Sequence, residues 1–260
     1  KEIEILKHAC EITAATHIEA IKFTKPNMGE WQLQGFIEGC FRYCGGSGWA
    51  YPSIVGSGDN STILHYKTNE DVMESGDLVL VDAGAEYEGY AADITRTWPV
   101  NGKFTKEQTE IYNLVLDSQK AAIDACIVGK PCNSHHIAAS KVLKEGLLKL
   151  GIINANSEDT DADLKKFFMH GTGHWLGIDV HDVGIYEPDG KPRLFEAGMV
   201  ITVEPGLYFA KWREDIPELE NKWRGIGVRI EDDVLITDSG PVVLTAMCPK
   251  EIHEIENLMN

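Results

Sequence analysis

Apolar residues recur at helical spacing in two segments near the start of the chain. Residues 2–24 carry this pattern, and Pro26 and Gly29 follow as signals that end a helix. Residues 30–43 repeat the pattern, and their apolar face consists of Leu33, Ile37 and Phe41. The chain is therefore expected to begin with a pair of helices.

A different pattern follows in the stretch LVLVDAGAEYEGYAADITRT, which starts at Leu78. Four consecutive β-prone apolar residues predict a hairpin, with its turn supplied by the Glu88-Gly89 region. If the turn is centred between Tyr87 and Glu88, Asp82 lies directly opposite Asp93, where like charges repel one another across roughly 5 Å. A buried pair of carboxylates needs a shared proton, an arginine or a metal ion to compensate it.

Two further helices are predicted in the middle of the chain. Thr105 and Gln108 form a T-x-x-Q capping box, which is typical of a helix start. Another helical pattern begins at Asn133 or Ser134 and runs to Leu150. The polar and acidic residues 154–163 are interpreted as a loop.

Four histidines stand in segments that favour β structure or loops. Residues 63–66 predict a short strand that carries His65. In FMHGTGHWLGIDVHDVG, His170 and His174 have a spacing that a helix would bring onto one face, but the glycines argue against a helix. We expect a loop that leads into a strand bearing His181 and Asp182.

The two halves of the chain have the same order of elements. Residues 76–87 and 198–209 each contain glycine, an apolar run, a carboxylate and a second glycine at the same spacing. Each half reads helix, helix, histidine segment and hairpin, which indicates a diverged internal duplication. A pseudo-twofold axis would gather the carboxylates of both hairpins at one centre: Asp82, Asp93, Glu204 and Glu231.

Composition narrows the classes of protein to consider. The chain has 260 residues, of which 43% are hydrophobic, enough for one sizeable core. Its 41 acidic and 24 basic residues give a net charge of −17, which repels nucleic acid and anionic membranes. No apolar run approaches the roughly 20 residues of a membrane span. The cysteines form no C-x-x-C pair and are interpreted as reduced thiols of a cytoplasmic protein: Cys10, Cys40, Cys44, Cys126, Cys132 and Cys248.

The gathered carboxylates point to metal chemistry. Four neighbouring buried carboxylates cannot all ionise without cations, because each raises the pKa of the others. Arg96 and Arg229 would not neutralise all four, whereas two divalent ions would. His174 offers one nitrogen ligand, and an oxygen-rich set with one imidazole favours Mn²⁺. Paired metal ions are typical of hydrolytic sites.

These motifs resemble those of the pita-bread metallopeptidases, and most closely the aminopeptidase P (Xaa-Pro aminopeptidase) family. The matching stretches occur in the family order across nearly all 260 residues: IVGSGDNSTILHY, GDLVLVDAGAEYEGYAADITRTWPVNGKFT, FMHGTGHWLGIDVHDVG, GMVITVEPGLYFA and RGIGVRIEDDVLIT. The resemblance implies an α/β (α+β) pita-bread fold with a pseudo-twofold internal duplication. A curved, mostly antiparallel sheet would carry the site, and two helix pairs would cover its other face.

The resemblance also implies a role for each site residue. Asp82 would bind one metal ion, and His174 with Glu204 would bind the other. Asp93 and Glu231 would bridge the two ions, which are expected to be Mn²⁺, with Co²⁺ or Zn²⁺ as alternatives.

Further residues of the family site would act on the substrate or support the ligands. Glu204 would also take the proton of a hydroxide held between the metals. Tyr208 and Arg229 would hold the ligand carboxylates in place. Three histidines would contact substrate and reaction intermediate: His65, His170 and His181.

The expected activity is removal of the first residue from peptides whose second residue is proline. Prolidase (Xaa-Pro dipeptidase) has the same ligands and stays open as the alternative. Methionine aminopeptidase lacks the H-D-V-G string at 181–184, and intact ligands speak against a non-catalytic pita-bread binding module or creatinase-like chemistry.

Two departures from the family bear on organisation. The family carries a non-catalytic N-terminal domain that helps to build oligomers, and residues 1–260 are expected to be the catalytic domain without it. Whether the protein forms a homo-oligomer stays open. Residues 211–223, KWREDIPELENKW, form a polar loop that would lie at the surface or border the substrate entrance.

Overall fold

Two pairs of helices and a set of antiparallel strands make up the computed structural model, which describes every residue from Lys1 to Asn260. The helices are α1 (Glu2–Phe23), α2 (Glu30–Tyr43), α3 (Lys106–Asp124), α4 (Ser134–Lys149), α5 (Thr160–Lys165) and α6 (Ile252–Met259). The strands are β1 (Gly48–Trp49), β2 (Ile54–Ser57), β3 (Leu78–Asp82), β4 (Ala85–Tyr87), β5 (Tyr90–Ala91), β6 (Thr95–Pro99), β7 (Val200–Val203), β8 (Gly206–Phe209), β9 (Ile226–Arg229), β10 (Asp232–Thr237) and β11 (Gly240–Val243).

The four long helices confirm the helical predictions. α2 has the predicted bounds, and its apolar face is fully buried. The capping box opens α3: Gln108 N donates to Thr105 Oγ1 at 3.2 Å, and Thr105 N donates to Gln108 Oε1 at 2.9 Å. None of the helices combines the length and the apolar composition that crossing a bilayer requires.

The helix pairs follow the two halves of the chain. α1 packs against α2 and strand β4, whereas α3 packs against α4 and strands of the second half. One large apolar cluster joins both pairs to the strands, with fully buried residues from each: Leu33, Ile37, Phe41, Val81, Ile111, Leu143, Leu207 and Val228. This core fixes the strands that carry the candidate site.

The expected single curved sheet is divided into four antiparallel pieces. Their strand orders are β2-β3-β6, β1-β4-β5, β11-β10-β7 and β8-β9. The halves meet where Glu231 N donates to the carbonyl of Thr95 at 3.0 Å. Beside it, Thr97 Oγ1 donates to the carbonyl of Arg229 at 3.1 Å. These contacts hold the pieces around one centre.

The predicted register of the first hairpin is wrong by two residues. The turn lies at Glu88 and Gly89, the residues expected to supply it, but it is centred between them, so that Tyr87 faces Tyr90 and Asp82 faces Thr95. Both turn residues have positive φ, 47° and 81°, as a two-residue type I′ turn requires. A shift of two residues preserves the face on which each side chain lies. Asp93 therefore stays on the same side of the hairpin as Asp82.

Two predicted strands that would carry histidines are absent. Residues 63–66 form a turn, because Ser61 and Thr62 bond backbone carbonyls three residues back and bend the chain. His181 and Asp182 lie in an irregular loop, where Asp182 N donates back to the carbonyl of Trp175 at 3.0 Å. The glycine-rich segment pairs with β7 through an antiparallel bridge between Trp175 and Ile201, and it reverses direction before it reaches His181.

The acidic stretch 154–163 is a loop only in its first part. Helix α5 begins at Thr160, because the Asp159 carboxylate accepts hydrogen bonds from the backbone N–H groups of Asp161 and Ala162 at 3.0 and 2.9 Å. An aspartate that caps a helix in this way converts an apparently irregular acidic run into a helix start.

The duplicated glycines mark equivalent close approaches in the two hairpins. A Cβ on Gly84 would lie 1.7 Å from the carbonyl oxygen of Ala92, and one on Gly206 would lie 2.9 Å from that of Val228. Each glycine lies two residues after a candidate ligand, Asp82 or Glu204. The pattern supports the inferred duplication.

Replacing Gly84 should unfold the first hairpin locally. We expect Gly84→Ala to lower the free energy of unfolding by about 3 kcal/mol, since the new methyl group meets fixed backbone. The matched control is Gly39→Ala in α2, where a Cβ meets nothing within 4 Å and should stabilise the helix by about 1 kcal/mol. Urea unfolding of both variants tests this, and equal stability of the two would contradict it.

Candidate metal centre and active site

One cavity of about 410 Å³ brings the predicted site residues together. All five predicted ligands line it, as do the three histidines expected to act on substrate. Its lining consists of Tyr51, Ile54, Leu64, His65, Lys67, Asp82, Asp93, His170, Gly171, Gly173, His174, Val180, His181, Glu204, Arg229 and Glu231. Residues 211–223 contribute nothing to this lining, so the expectation that they border the site entrance finds no support.

The four carboxylates stand where paired strands are interrupted. Asp82 is the last residue of β3, and Asp93 lies between β5 and β6. Glu204 separates β7 from β8, and Glu231 separates β9 from β10. Backbone irregularity at these points directs the side chains into the cavity between the sheet pieces.

Three ligand side chains are close enough to share one ion. Ligand atoms of Asp93, His174 and Glu231 all lie within 4.8 Å of one another. His174 Nε2 is 3.4 Å from Asp93 Oδ2 and 3.7 Å from Glu204 Oε1. Its Nδ1 lies 3.0 Å from the carbonyl of Trp175, so Nδ1–H donates there and Nε2 is left to bind a cation.

The charge state of the cluster reflects burial and mutual repulsion. Burial raises the pKa of Glu204 to about 7, against the charges of His174 and Arg229. Burial and neighbouring carboxylates also raise the pKa of Asp93 and, well above its usual range, that of Glu231. Burial would lower the pKa of His174, but the hydrogen bond and charge of Asp93 outweigh it and raise that pKa to about 9.

These donors fit divalent metal ions. When several carboxylates are buried together, either protons or cations must neutralise their charge. The raised pKa values of Asp93, Glu204 and Glu231 mean that these groups bind protons more readily than exposed carboxylates do. The set contains carboxylate oxygens and one imidazole, with no thiolate. Such a set suits Mn²⁺ and other hard or borderline divalent ions.

Arg229 organises the side of the cavity beside Asp82. Its guanidinium donates to Asp82 Oδ2 at 2.6 Å, to Tyr208 Oη at 3.0 Å and to Thr95 Oγ1 at 3.1 Å. The hydroxyl of Tyr208 in turn donates to His170 Nε2 at 2.8 Å, because His170 Nδ1–H points to the carbonyl of Gly171 at 2.6 Å. Asp82 is thus paired with an arginine and lies outside the three-residue cluster.

The remaining predicted histidines face the cavity with fewer constraints. His181 packs edge-on against His174, with ring centroids 4.3 Å apart. His65 is exposed to solvent at the cavity wall. Burial lowers the pKa of His181, and the nearby charge of His174 lowers it further. Both rings line the cavity beside the predicted ligands, where they can form hydrogen bonds with a bound molecule.

Sequence analysis missed Tyr51. Its hydroxyl lies 2.7 Å from Asp82 Oδ1 and also contacts Asp93 Oδ1. One hydroxyl proton cannot be donated to both carboxylates at once, and burial together with the charge of Asp82 raises the pKa of Asp93. No pattern around Tyr51 indicates this role, because it stands in a loop more than thirty residues before Asp82.

Three other supports of the ligands were also missed. Thr95 Oγ1 bonds the Glu231 carboxylate. Asp233 Oδ2 accepts from the backbone N–H of Asp93 at 3.0 Å. Behind the loop that carries His174, His136 Nδ1 bonds Thr172 Oγ1 at 2.8 Å. No local sequence pattern marks these three residues, because each bonds a residue at least 36 positions away along the chain.

Comparison with known proteins identifies the family. The model of metallopeptidase family M24 matches residues 4–238. The chain belongs to this family. An Xaa-Pro aminopeptidase of Haemophilus influenzae is 47% identical over 262 residues, and one of Escherichia coli K12 is 48% identical over 261 residues. Each match covers 100% of this chain, but only 60% and 58% of the relative.

Solved structures support the same assignment of fold. The aminopeptidase PepP of Pseudomonas aeruginosa superimposes with a TM-score of 0.94 at 45% identity, covering 99% of this chain and 58% of that protein. The expected pita-bread architecture is confirmed. The chain spans about three fifths of the length of the relatives it matches.

Loss of Arg229 should destabilise the metal-free protein strongly. We expect Arg229→Met to cost about 4 kcal/mol in chelator-containing buffer, because Asp82 would stay buried without its partner. The matched control is Arg193→Met, which breaks the exposed pair with Glu196 and should cost at most about 1 kcal/mol.

A second substitution identifies the cause of that cost. Adding Asp82→Asn to Arg229→Met should recover part of the lost free energy of unfolding, since the uncompensated charge is removed. Chemical unfolding of the single and double variants provides the measurement. A double variant no more stable than Arg229→Met would contradict the ion-pair explanation.

Proposed function

We propose that this chain is the catalytic domain of a dinuclear-metal aminopeptidase that removes the first residue from peptides with proline in second place. The observation that carries the proposal is the group of Asp93, His174 and Glu231, whose ligand atoms lie within 4.8 Å, in one cavity with Asp82 and Glu204. The curated relatives named Xaa-Pro aminopeptidase support the specificity.

The proposed ligand roles follow the family pattern. Asp82 binds one divalent ion, and His174 and Glu204 bind the other. Asp93 and Glu231 would be shared between the two ions, with Mn²⁺ favoured over Co²⁺ or Zn²⁺. Arg229 must then share Asp82 with the ion, which its hydrogen bond to Oδ2 permits because Oδ1 has a free lone pair. When bound, such a metal pair lowers the pKa of a water molecule and polarises the substrate carbonyl.

The chain's own side chains would move protons and bind the substrate. Glu204 would accept the proton of the attacking water, since its carboxylate lies in the cavity 3.7 Å from His174 Nε2. His65 and His181 donate hydrogen bonds to the carbonyl oxygen and help the proline nitrogen to leave protonated. Both nitrogens of His170 are occupied by Gly171 and Tyr208, so its contact with substrate requires exchange of one bond.

Proline in second place is compatible with this kind of site. The Xaa-Pro bond is a tertiary amide without N–H, and the ring restricts the local backbone. A peptidase that recognises that N–H cannot bind the bond productively. A site that binds the carbonyl and the ring does not depend on the missing donor. Expulsion of the nitrogen still needs an acid, since an amide anion is a poor leaving group.

One observation favours the alternative, an Xaa-Pro dipeptidase. Lys67 is the only lysine that lines the cavity, and it lies two residues after His65. An ammonium group there could pair with the free carboxylate that follows proline in a dipeptide. A longer peptide has no carboxylate at that place, so the length of the substrate separates the two functions.

We propose a cytoplasmic location and peptide partners only. All six cysteines are free thiols, as is usual in a reducing compartment. The net charge of −17 disfavours nucleic acid as a partner. Whether full activity needs a second copy of the chain can be measured by comparing mass in solution with activity.

Activity and stability should depend on divalent metal. We expect Mn²⁺ to raise the free energy of unfolding of the wild type by about 2.7 kcal/mol at a concentration of one hundred times its Kd. Asp93→Ala or Glu231→Ala should lose this gain and at least one bound ion. Asp117→Ala, at an exposed position on α3, serves as the control. Thermal unfolding and elemental analysis test this, and full activity after chelation would rule out the metal mechanism.

A peptide panel with Mn²⁺ should show which bonds are cleaved. We expect cleavage of Xaa-Pro-Yaa tripeptides and longer Xaa-Pro peptides, but little of Met-Ala-Yaa controls. Cleavage of dipeptides alone would indicate a dipeptidase, and preference for Met-Ala would overturn the proline specificity.

The role of Lys67 is tested with the same panel. If Lys67 binds a terminal carboxylate, Lys67→Ala should raise KM for Xaa-Pro and leave KM for the amidated dipeptide unchanged. A free carboxylate and its amide differ only in charge, so they form a matched pair. Equal KM changes for both would exclude the charge interaction.

A further inference from the structure

A buried carboxylate outside the metal cavity holds the segment that carries His65. Glu30 is the first residue of α2 and has 0% exposed surface. Its Oε1 accepts from Ser57 N at 2.7 Å, Ser57 Oγ at 2.8 Å and Asn60 Nδ2 at 3.2 Å. Its Oε2 accepts from Tyr66 Oη at 2.9 Å and Asp71 N at 3.0 Å. Five donors therefore converge on one side chain.

These donors belong to a single segment, residues 57–71, and include both of its ends. Asn60 Nδ2 also donates to Asp71 Oδ2 at 2.7 Å, which ties the beginning of the segment to its end. One helical turn after Glu30, Gln34 accepts from Asn69 Nδ2 at 2.9 Å. Helix α2 thus fixes the segment through side chains, in place of the strand that the sequence predicts there.

His65 depends on this arrangement for its position. Its ring faces the metal cavity, is exposed, and makes no hydrogen bond to the protein. The neighbouring Tyr66, by contrast, donates to Glu30 and accepts from Glu70 N at 3.3 Å. No strand pairing restrains residues 63–66. A backbone hydrogen bond from Tyr66 N to the carbonyl of Ile63 at 3.3 Å closes the turn around His65, and the bond from Tyr66 Oη to Glu30 anchors that turn to α2.

We propose that Glu30 and Tyr66 are positioning residues, which act on the reaction by holding His65 at the metal cavity. The inference rests on the proposed peptidase function, in which His65 contacts the substrate. A misplacement of about 1 Å can cost on the order of a hundredfold in rate. The position of a side chain that makes no hydrogen bond of its own depends most strongly on the position of the backbone that carries it.

The test uses Tyr66→Phe, which removes one hydroxyl and keeps the ring. With Mn²⁺ and an Xaa-Pro-Yaa tripeptide, we expect kcat to fall about tenfold or more, while KM and bound metal change little. Glu30→Gln should lower kcat further, since an amide nitrogen cannot accept from the N–H groups that its carboxylate now binds. Tyr112→Phe is the matched control: it loses a 2.8 Å bond to Lys250 O in the core and should leave kcat unchanged.

A double-mutant cycle separates positioning from general damage. If Tyr66 acts through His65, Tyr66→Phe should have no further effect on kcat in a His65→Ala background. A full additional loss in that background would overturn the proposal. So would an equal fall of kcat in Tyr112→Phe, because loss of stability alone would then explain the effect.

A measurement without substrate keeps the inference separate from the proposed function. Amide hydrogen exchange should become faster in residues 58–71 of Tyr66→Phe and stay unchanged elsewhere. If the wild type cleaves no Xaa-Pro peptide, the proposed function fails, but exchange still shows whether Tyr66 restrains the segment. Unchanged exchange in residues 58–71 would overturn the restraint itself.

Discussion

Repulsion among buried carboxylates is the constraint on which the rest of this structure depends. Asp93, Glu204 and Glu231 share one cavity with Asp82, and burial raises the pKa of the first three. Only Arg229 and His174 supply nearby positive charge in direct contact. The cavity therefore holds several carboxylates whose charge must be neutralised by protons or by cations. Because these carboxylates repel one another, the stability of the fold must come from other contacts.

That energy comes from the core beneath the site. The apolar cluster shared by both helix pairs and the strands is continuous across the two halves. It holds the strand ends rigidly enough for their carboxylates to stay together despite mutual repulsion. The interruptions between β3 and β4, and between β7 and β8, also help to keep the carboxylates together. A regular strand would continue the pairing past Asp82 and Glu204.

Around the ligands lies a layer of groups that fix orientation. Trp175 O sets the tautomer of His174, Tyr51 joins Asp82 to Asp93, and Asp233 holds the backbone of Asp93. Loss of such an outer contact typically lowers metal affinity or activity by about 10- to 100-fold. Glu30 extends the same principle to residues that bind no metal. The site is thus a small set of chemical groups with a much larger set of supports.

The sequence by itself determined the four long helices, the internal duplication and the carboxylates that line the cavity. Periodicity gave the bounds of α2, and capping chemistry gave the start of α3, because both depend on neighbouring residues alone. The carboxylates were found because glycine, apolar run and acid recur at fixed spacing in both halves. Each of these features could be predicted from residues that lie near one another along the chain.

Tertiary structure decided what depends on distant partners. Side-chain bonds from residues 57–71 to Glu30 replaced the strand expected around His65. Tyr51 and Asp233 gained their roles from contacts across 31 to 140 positions. Hydrogen bonds between remote segments leave no periodic trace in a sequence, because any polar residue of suitable reach can make them once the core has brought the segments together.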